Sequence, residues 1–219
     1  MSVPKVIIDT DAGIDDALAI FMALAAHKRG EIEVIAVTTV HGNTGVHHVN
    51  NNIPVYSGAA KSLVHPWTHS GEMFHGTDGF GDAHLPAIPP ASSLLKPQHA
   101  VWTLLELVNK YPNEIVLTAL GPLTNVALAI RLEPAFTSRL AAIYAMGGNT
   151  RGCGDGEGRL VSTSKSCFAT VELNGSLTRG QMAIDHRDLM NRTSNLIIMT
   201  SIDEQLYLRY LKMAFGGEF

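Results

Sequence analysis

The chain has 219 residues, 46% of them hydrophobic and 16% charged, with a net charge of −4. That length and apolar fraction are enough for one sizeable core, so a single domain over residues 1–219 is expected. The acidic balance gives no electrostatic reason for a nucleic-acid partner, and no apolar stretch is long enough to span a bilayer, so no membrane partner is expected either.

In chain order, Val6 to Ile8 reads as a buried parallel strand. Gly13 permits a tight turn. Asp15 and Asp16 then open a helix whose apolar positions Leu18, Ile20, Phe21 and Leu24 recur at helical spacing. Ile32 to Val40 reads as a second strand and Val55-Tyr56 as a short third. Ser62 to Pro90 has no clear period and is expected to be a long loop, of the kind that is usually functional or mobile. Ala100 to Asn109 reads as an amphipathic helix and Ile115 to Leu120 as a strand. Pro122 falls at the first turn of a helix running through Leu132. Ala141 to Met146 reads as a buried strand, with Phe168 to Glu172, Gln181 to Asp185 and Leu196 to Thr200 as further strands. Asp203 opens the last helix, through Ala214. This alternation predicts an α/β fold, a mostly parallel open sheet with helices on both faces. Neither an internal repeat nor a low-complexity tract interrupts it.

Cys153 and Cys167 are the only cysteines and lack metal-site spacing. They are expected to be free thiols in a reducing compartment. The first strand begins almost at the start of the chain, which leaves no room for a signal peptide before Lys5, and a cytoplasmic location is expected.

The chemistry concentrates in Asp9-Thr10-Asp11-Ala12-Gly13-Ile14-Asp15-Asp16. These acids gather between a strand end and a helix start, where open α/β sheets place their ligands. A single aspartate there is usually a helix cap. Four like charges held that close are costly, and the helix N-terminus relieves only part of the repulsion. The remainder calls for a cation, and clustered oxygen donors suit Ca²⁺ or Mg²⁺ better than a soft metal.

The run resembles the N-terminal signature D-T-D-x-G-x-D-D of the inosine-uridine preferring nucleoside hydrolase family. Further segments are similar to that family in the same order: Thr38-Thr39-Val40-His41-Gly42-Asn43, Ile53-Pro54-Val55-Tyr56-Ser57-Gly58-Ala59, and His75-Gly76-Thr77-Asp78-Gly79-Phe80-Gly81. So are Leu120-Gly121-Pro122-Leu123-Thr124-Asn125, Met146-Gly147-Gly148-Asn149, and Val171-Glu172-Leu173-Asn174-Gly175 through Thr178-Arg179-Gly180. The resemblance implies a nucleoside hydrolase-like fold. It also implies metal-dependent hydrolysis of the N-glycosidic bond of purine or pyrimidine ribonucleosides to free base and ribose. A ribonucleoside would be the ligand and Ca²⁺ the cofactor, with the oligomeric state left open, a homo-oligomer included.

Carried over residue by residue, Asp11 would be the general base and a metal ligand. Asp16 would be the main carboxylate ligand, and the backbone carbonyl of Leu120 would complete part of the coordination shell. Asp15 and Asn43 would hydrogen-bond the ribose hydroxyls, with His75 near the base or sugar and Met146 lining the ribose pocket. Asp9 would support the loop by hydrogen bonding. The plainer readings are a surface histidine for His75, a core methionine for Met146 and a local helix-turn hydrogen bond for Asn125. His47 and His48 are adjacent and do not share a face, so they do not make a metal pair. His99 and His186 read as surface residues.

The chain also departs from the family. Only Thr44 to Asn52 stands where the family has a helix before the Ile-Pro-Val-Tyr strand. After Asn149 the family's Ala-Glu-Phe-Asn and Asp-Pro-Glu-Ala-Ala segments are absent, and Arg151 to Ser166 is rich in Gly, Ser and charge instead. The family's later His-Asp pair, which assists the leaving base and closes the calcium site, is missing as well. The gaps near 43–53 and 149–168 therefore imply an incomplete domain, with weakened Ca²⁺ binding and slowed hydrolysis. Asp155 and Glu157 lie in no matching context. The alternative functions are a catalytically impaired remnant acting as a binding or interaction protein and, lower, an Asp-x-Asp phosphatase using Mg²⁺.

Overall fold

A computed structural model of the chain describes residues 3–42, 53–63, 75–76, 79–83, 94–147, 163–174, 181–201 and 203–215. Contacts cluster into two units, Met1–Met146 and Gly147–Phe219.

The first unit is built on β1 (Lys5–Thr10), β2 (Glu33–Thr39), β3 (Val55–Ser57), β4 (Leu95–Lys96), β5 (Ile115–Ala119) and β6 (Ala142–Ala145). They form one parallel sheet in the order β4-β3-β2-β1-β5-β6. Three helices accompany it: α1 (Ile14–Lys28), α2 (Ala100–Lys110) and α3 (Thr124–Leu132). Successive strand side chains point to opposite faces, so β1 feeds two cores. Ile7 joins Leu104, Leu105 and Val108 of α2 and Val126 and Ala129 of α3 on one face. Val6 and Ile8 join Ile20 of α1, with Val34, Val37 and Val55, on the other. The helices on both faces that the alternation predicts are present. Burial on both sides explains why β1 reads as a continuous apolar run rather than an alternating one.

The second unit contains β7 (Thr163–Cys167) and β8 (Ala169–Val171), then β9 (Met182–Ile184) and β10 (Leu196–Ser201), and ends in α4 (Glu204–Ala214). β7 pairs with β10 and β8 with β9, both antiparallel. The Asn195 amide accepts from the Ala169 N–H at 2.9 Å and donates to its carbonyl at 2.8 Å, mimicking one more rung of a ladder. Asp203 caps α4, its carboxylate accepting from the Leu206 N–H at 2.9 Å. Cys167 is a buried free thiol; Cys153 lies outside the described residues.

Three expectations need correction, and two strands have no counterpart among them. The apolar run at Ala141–Met146 is not a buried strand: among the described residues β6 ends the sheet order beside β5, and Tyr144 is left 49% exposed. An apolar run alone does not reveal whether a strand is central or at an edge. Phe21 lies on the outward side of α1, 42% exposed, while Ile20 carries that helix's buried contact. α3 begins at Thr124, two residues beyond Pro122, whose carbonyl accepts from the Thr124 N–H. β4 and β7 carry no strand signal in sequence, because Leu95–Lys96 is too short for a period and Thr163–Cys167 is largely polar. No described helix is long and apolar enough to cross a membrane.

Leu104 is fully buried in the α2 core. Leu104→Ala is expected to lower the unfolding free energy by about 2–5 kcal/mol, the usual cost of a buried cavity. Urea denaturation would read this as a lower midpoint, and an unchanged midpoint would contradict the packing described.

Candidate active site

The strand order reverses at β1: the chain moves outward to β2, β3 and β4 on one side, then returns to β5 and β6 on the other. Ligands of open α/β sheets bind in the crevice at such a switch point, beyond the carboxyl ends of the strands. Thr10 to Asp16 leave β1 at this point, and Val40 to Gly42 and Leu120 to Gly121 leave β2 and β5 beside it. The backbone joins the three exits. The Val40 N–H donates to the Thr10 carbonyl at 3.0 Å, and the Leu120 N–H donates to the Asp9 carbonyl at 2.7 Å.

Asp9, the last but one residue of β1, is fully buried. Its Oδ1 accepts from the Thr38 hydroxyl at 2.6 Å and from the Asn125 amide at 2.8 Å, while Oδ2 has no partner. Burial disfavours the charged carboxylate and raises its pKa to about 6, against the pull of those two hydrogen bonds. Asp9 thus joins β1 to β2 and to the start of α3. Asn125 does more than its sequence reading suggests. Besides Asp9 it donates to the Thr39 carbonyl at 2.8 Å and accepts from the Ala59 N–H at 2.9 Å. It ties the ends of β1, β2 and β3 to the start of α3, and is not a local helix-turn bond. A single sequence cannot show this, because the partners lie between 66 and 116 residues away.

Asp16 is buried in the first turn of α1. Its Oδ1 accepts from the Thr10 hydroxyl at 2.7 Å and its Oδ2 from the Gly13 N–H at 3.1 Å. Burial pushes its pKa up. The bonds from Thr10 and Gly13 oppose that, the neighbouring Asp15 charge adds to it, and a hydrogen bond with Asp11 opposes it again. Asp11 and Asp16 therefore meet at one point.

Asp11 is buried between two glycines. A Cβ on Gly42 would lie 1.9 Å from Asp11 Oδ2, and one on Gly121 3.0 Å from Asp11 Oδ1. A side chain at position 42 would have to displace the carboxylate, whereas one at 121 would first meet the Val40 side chain at 2.8 Å and the Asp11 backbone nitrogen at 2.9 Å. Ala12, next to Asp11, is left-handed at φ 57°, a strained setting for a residue with a Cβ.

Asp15 is exposed on α1. His75 Nε2 stands 4.0 Å from its Oδ1, and His75 Nδ1 accepts from the Ile14 N–H at 3.1 Å. His75 is thus tied to the start of α1 and to Asp15, not a surface residue without contacts. His99 caps α2, its ring accepting from the Val101 N–H, and His186 follows β9. His41, which the sequence reading passed over, places Nε2 2.9 Å from the Thr124 hydroxyl. Met146, just past the β6 edge, is 53% exposed and is not a core methionine. Asn43, His47 and His48 lie outside the described residues.

For a hard cation the donor chemistry fits: two buried carboxylates converge beside a backbone turn, and Asp9 Oδ2 is buried without a partner. The number of donors is small. Among the described residues no three His, Cys, Asp or Glu side chains gather as a metal site.

The profile of the inosine-uridine preferring nucleoside hydrolase family matches residues 6–158. The chain belongs to this family of nucleoside hydrolases. It is 38% identical over 156 residues to a protein of Oryza sativa subsp. japonica named probable uridine nucleosidase 1, covering 66% of this chain and 46% of that one. It is 38% identical over 157 residues to the inosine-uridine preferring nucleoside hydrolase of Leishmania major, covering 66% and 48%. The chain thus spans about half the length of the curated relatives it matches. Among solved structures it is similar to an inosine-guanosine nucleoside hydrolase, with a TM-score of 0.84 and 25% identity over 98% of this chain and 99% of that one.

Two substitutions test this geometry. Asn125→Ala leaves the Ala59 N–H and the Thr39 carbonyl unpaired and removes one donor from Asp9. An abandoned polar group costs up to about 1–3 kcal/mol, less where it is only part-buried as here, so the thermal midpoint should fall. Gly42→Ala should displace Asp11, whereas Gly147→Ala, with nothing within 4 Å of the added carbon, should not. Backbone and carboxylate chemical shifts around Asp11 would distinguish the two glycine variants.

Proposed function

We propose that the protein hydrolyses the N-glycosidic bond of purine or pyrimidine ribonucleosides to free base and ribose, in a divalent-cation-dependent reaction. The observation that carries this reading is the convergence of Asp11 and Asp16 at the switch point, with Asp11 slotted between Gly42 and Gly121. Family membership and relatives named for uridine and inosine support it. The similarity to a solved nucleoside hydrolase over 98% of this chain supports reading both units as parts of one domain.

Cleavage passes through an oxocarbenium-like sugar that a water molecule captures at the anomeric carbon. Asp11 accepts the proton of that water. Its slot fixes the carboxylate, so its direction is set before substrate arrives. Thr10 and the Gly13 amide hold Asp16 in its turn. Asp15 faces solvent at the start of α1, where it can take the ribose hydroxyls together with Asn43 and with His75 beside it. Met146 lines the sugar side. Asp11, Asp16 and the Leu120 carbonyl would hold Ca²⁺, which supplies charge compensation and lowers the pKa of the attacking water. A ribonucleoside is the small-molecule partner.

A second reading, a remnant that binds ligand or partner without turnover, is favoured by one observation: the curated relatives extend well beyond the matched region. A ribose-release assay with inosine and uridine decides between the two. Turnover that requires Ca²⁺ and disappears in Asp11→Ala supports hydrolysis, and silence in folded protein supports the remnant.

Among the described residues the site has carboxylates for the water but no assigned acid for the departing base. General acid assistance is typically worth about 10²–10⁴-fold. A riboside with a nitrophenolate leaving group needs no such help. It should be cleaved at least ~10²-fold faster than inosine if leaving-group protonation limits the rate. Equal rates on the two would show that leaving-group protonation is supplied after all.

A further inference from the structure

β2 and β5 flank β1 in the sheet, so the chain exits that follow them stand on either side of the D-T-D run. Each exit sets a glycine against Asp11, Gly42 against the carboxylate at Oδ2 and Gly121 against the backbone nitrogen and, a little farther off, Oδ1. The separation of the two exits therefore sets the width of the slot.

One residue beyond β2's own bonds, the chain is tied across this gap. His41 directly precedes Gly42, and its Nε2 lies 2.9 Å from the hydroxyl of Thr124, three residues after Gly121. The His41 backbone is fixed independently, its N–H donating to the Ala59 carbonyl at 2.7 Å. The ring thus reaches from an anchored strand end to the start of α3. Burial lowers the His41 pKa, which favours a neutral ring, and a hydroxyl can serve either tautomer as donor or acceptor. Stability has a separate source here. Asn125, deeper in the same region, already joins Asp9, Thr39 and Ala59.

We propose that His41 is a positioning residue: its hydrogen bond to Thr124 clamps the β2 and β5 exits across the end of β1 and holds the Asp11 carboxylate in register between Gly42 and Gly121. The catalytic consequence rests on the reading of Asp11 as base and cation ligand, whereas the clamp itself does not.

His41→Phe keeps the ring's bulk and loses the bond. Thr124→Val keeps the shape and loses the hydroxyl, and Thr124→Ser keeps the hydroxyl. In cation-free protein the ¹³C carboxylate resonance of Asp11, assigned with Asp11→Asn, should move in H41F and T124V and stay in place in T124S. Calorimetry with Ca²⁺ should show binding weakened about tenfold or more in the first two variants, the usual effect of losing a group that orients a ligand. The double variant H41F/T124V should lose no more than H41F alone, since the bond between them is already gone. With inosine, kcat should fall more than KM rises, with T124S close to wild type. An unmoved Asp11 resonance, or additive losses in the double variant, would overturn the clamp. Wild-type protein that neither binds Ca²⁺ nor releases ribose would overturn the cation and base reading instead, and the Asp11 resonance would still decide the clamp.

Discussion

The fully buried Asp9 carboxylate is the constraint around which the rest of the first unit is arranged. A carboxylate at the end of a central strand has no solvent to turn to, and the sheet must supply its partners. It does so from both sides: Thr38 lies in register with Asp9 on β2, and Asn125 reaches it from the start of α3 after β5. Asn125 can serve only if β3 delivers Ala59 and β2 delivers Thr39 to its other groups. Gly58 has to be a glycine for the same reason, since a Cβ there would lie 2.4 Å from the Asn125 amide oxygen. One buried acid thus fixes the relative heights of three strand ends and one helix. Those heights are what bring Asp11 and Asp16 together a few residues later.

How much of this was legible in sequence depended on whether the signal was local. The β1–α1 junction was readable because its cues lie in one run: an apolar strand, a glycine, then acids at a helix start. The parallel sheet was readable from alternation. The roles of Asn125 and His41 were not. Each looks like an ordinary polar residue near a turn, and its meaning lies in partners 66 to 116 residues away. β6 failed differently. Ala-Ile-Tyr-Ala has the composition of a central strand, and only the sheet order shows that it stands at the edge.

Glycines give the clearest case of a sequence feature whose reason appears only in three dimensions. Gly42, Gly58 and Gly121 follow three different strands, and each is pressed against a buried polar group of another. Their common property is close approach, which any side chain would prevent. Ala12 is the converse. It carries a Cβ in a left-handed conformation that glycine would adopt without strain, between Asp11 and the helix-opening Gly13. The turn that aims Asp11 is therefore held in place by its surroundings rather than by its own preference.

The distribution of donors across the acidic run explains why its four members cannot be equivalent. The first amides of a helix are the natural counter-groups for acids at its start. Here the Gly13 amide is committed to Asp16 and the Ile14 amide to His75, while the Thr10 hydroxyl is shared between Asp16 and the Ala12 amide. Asp9 draws on Thr38 and Asn125, and Asp15 has solvent. Asp11 meets Asp16 with glycines on both sides, which bring no side-chain donor of their own. Two acids sharing a buried point resist ionising together unless a positive charge joins them. The fold has thus spread its donors unequally over the run, two on Asp9, two on Asp16 and a histidine ring beside Asp15, so that each acid is held by a different part of the structure.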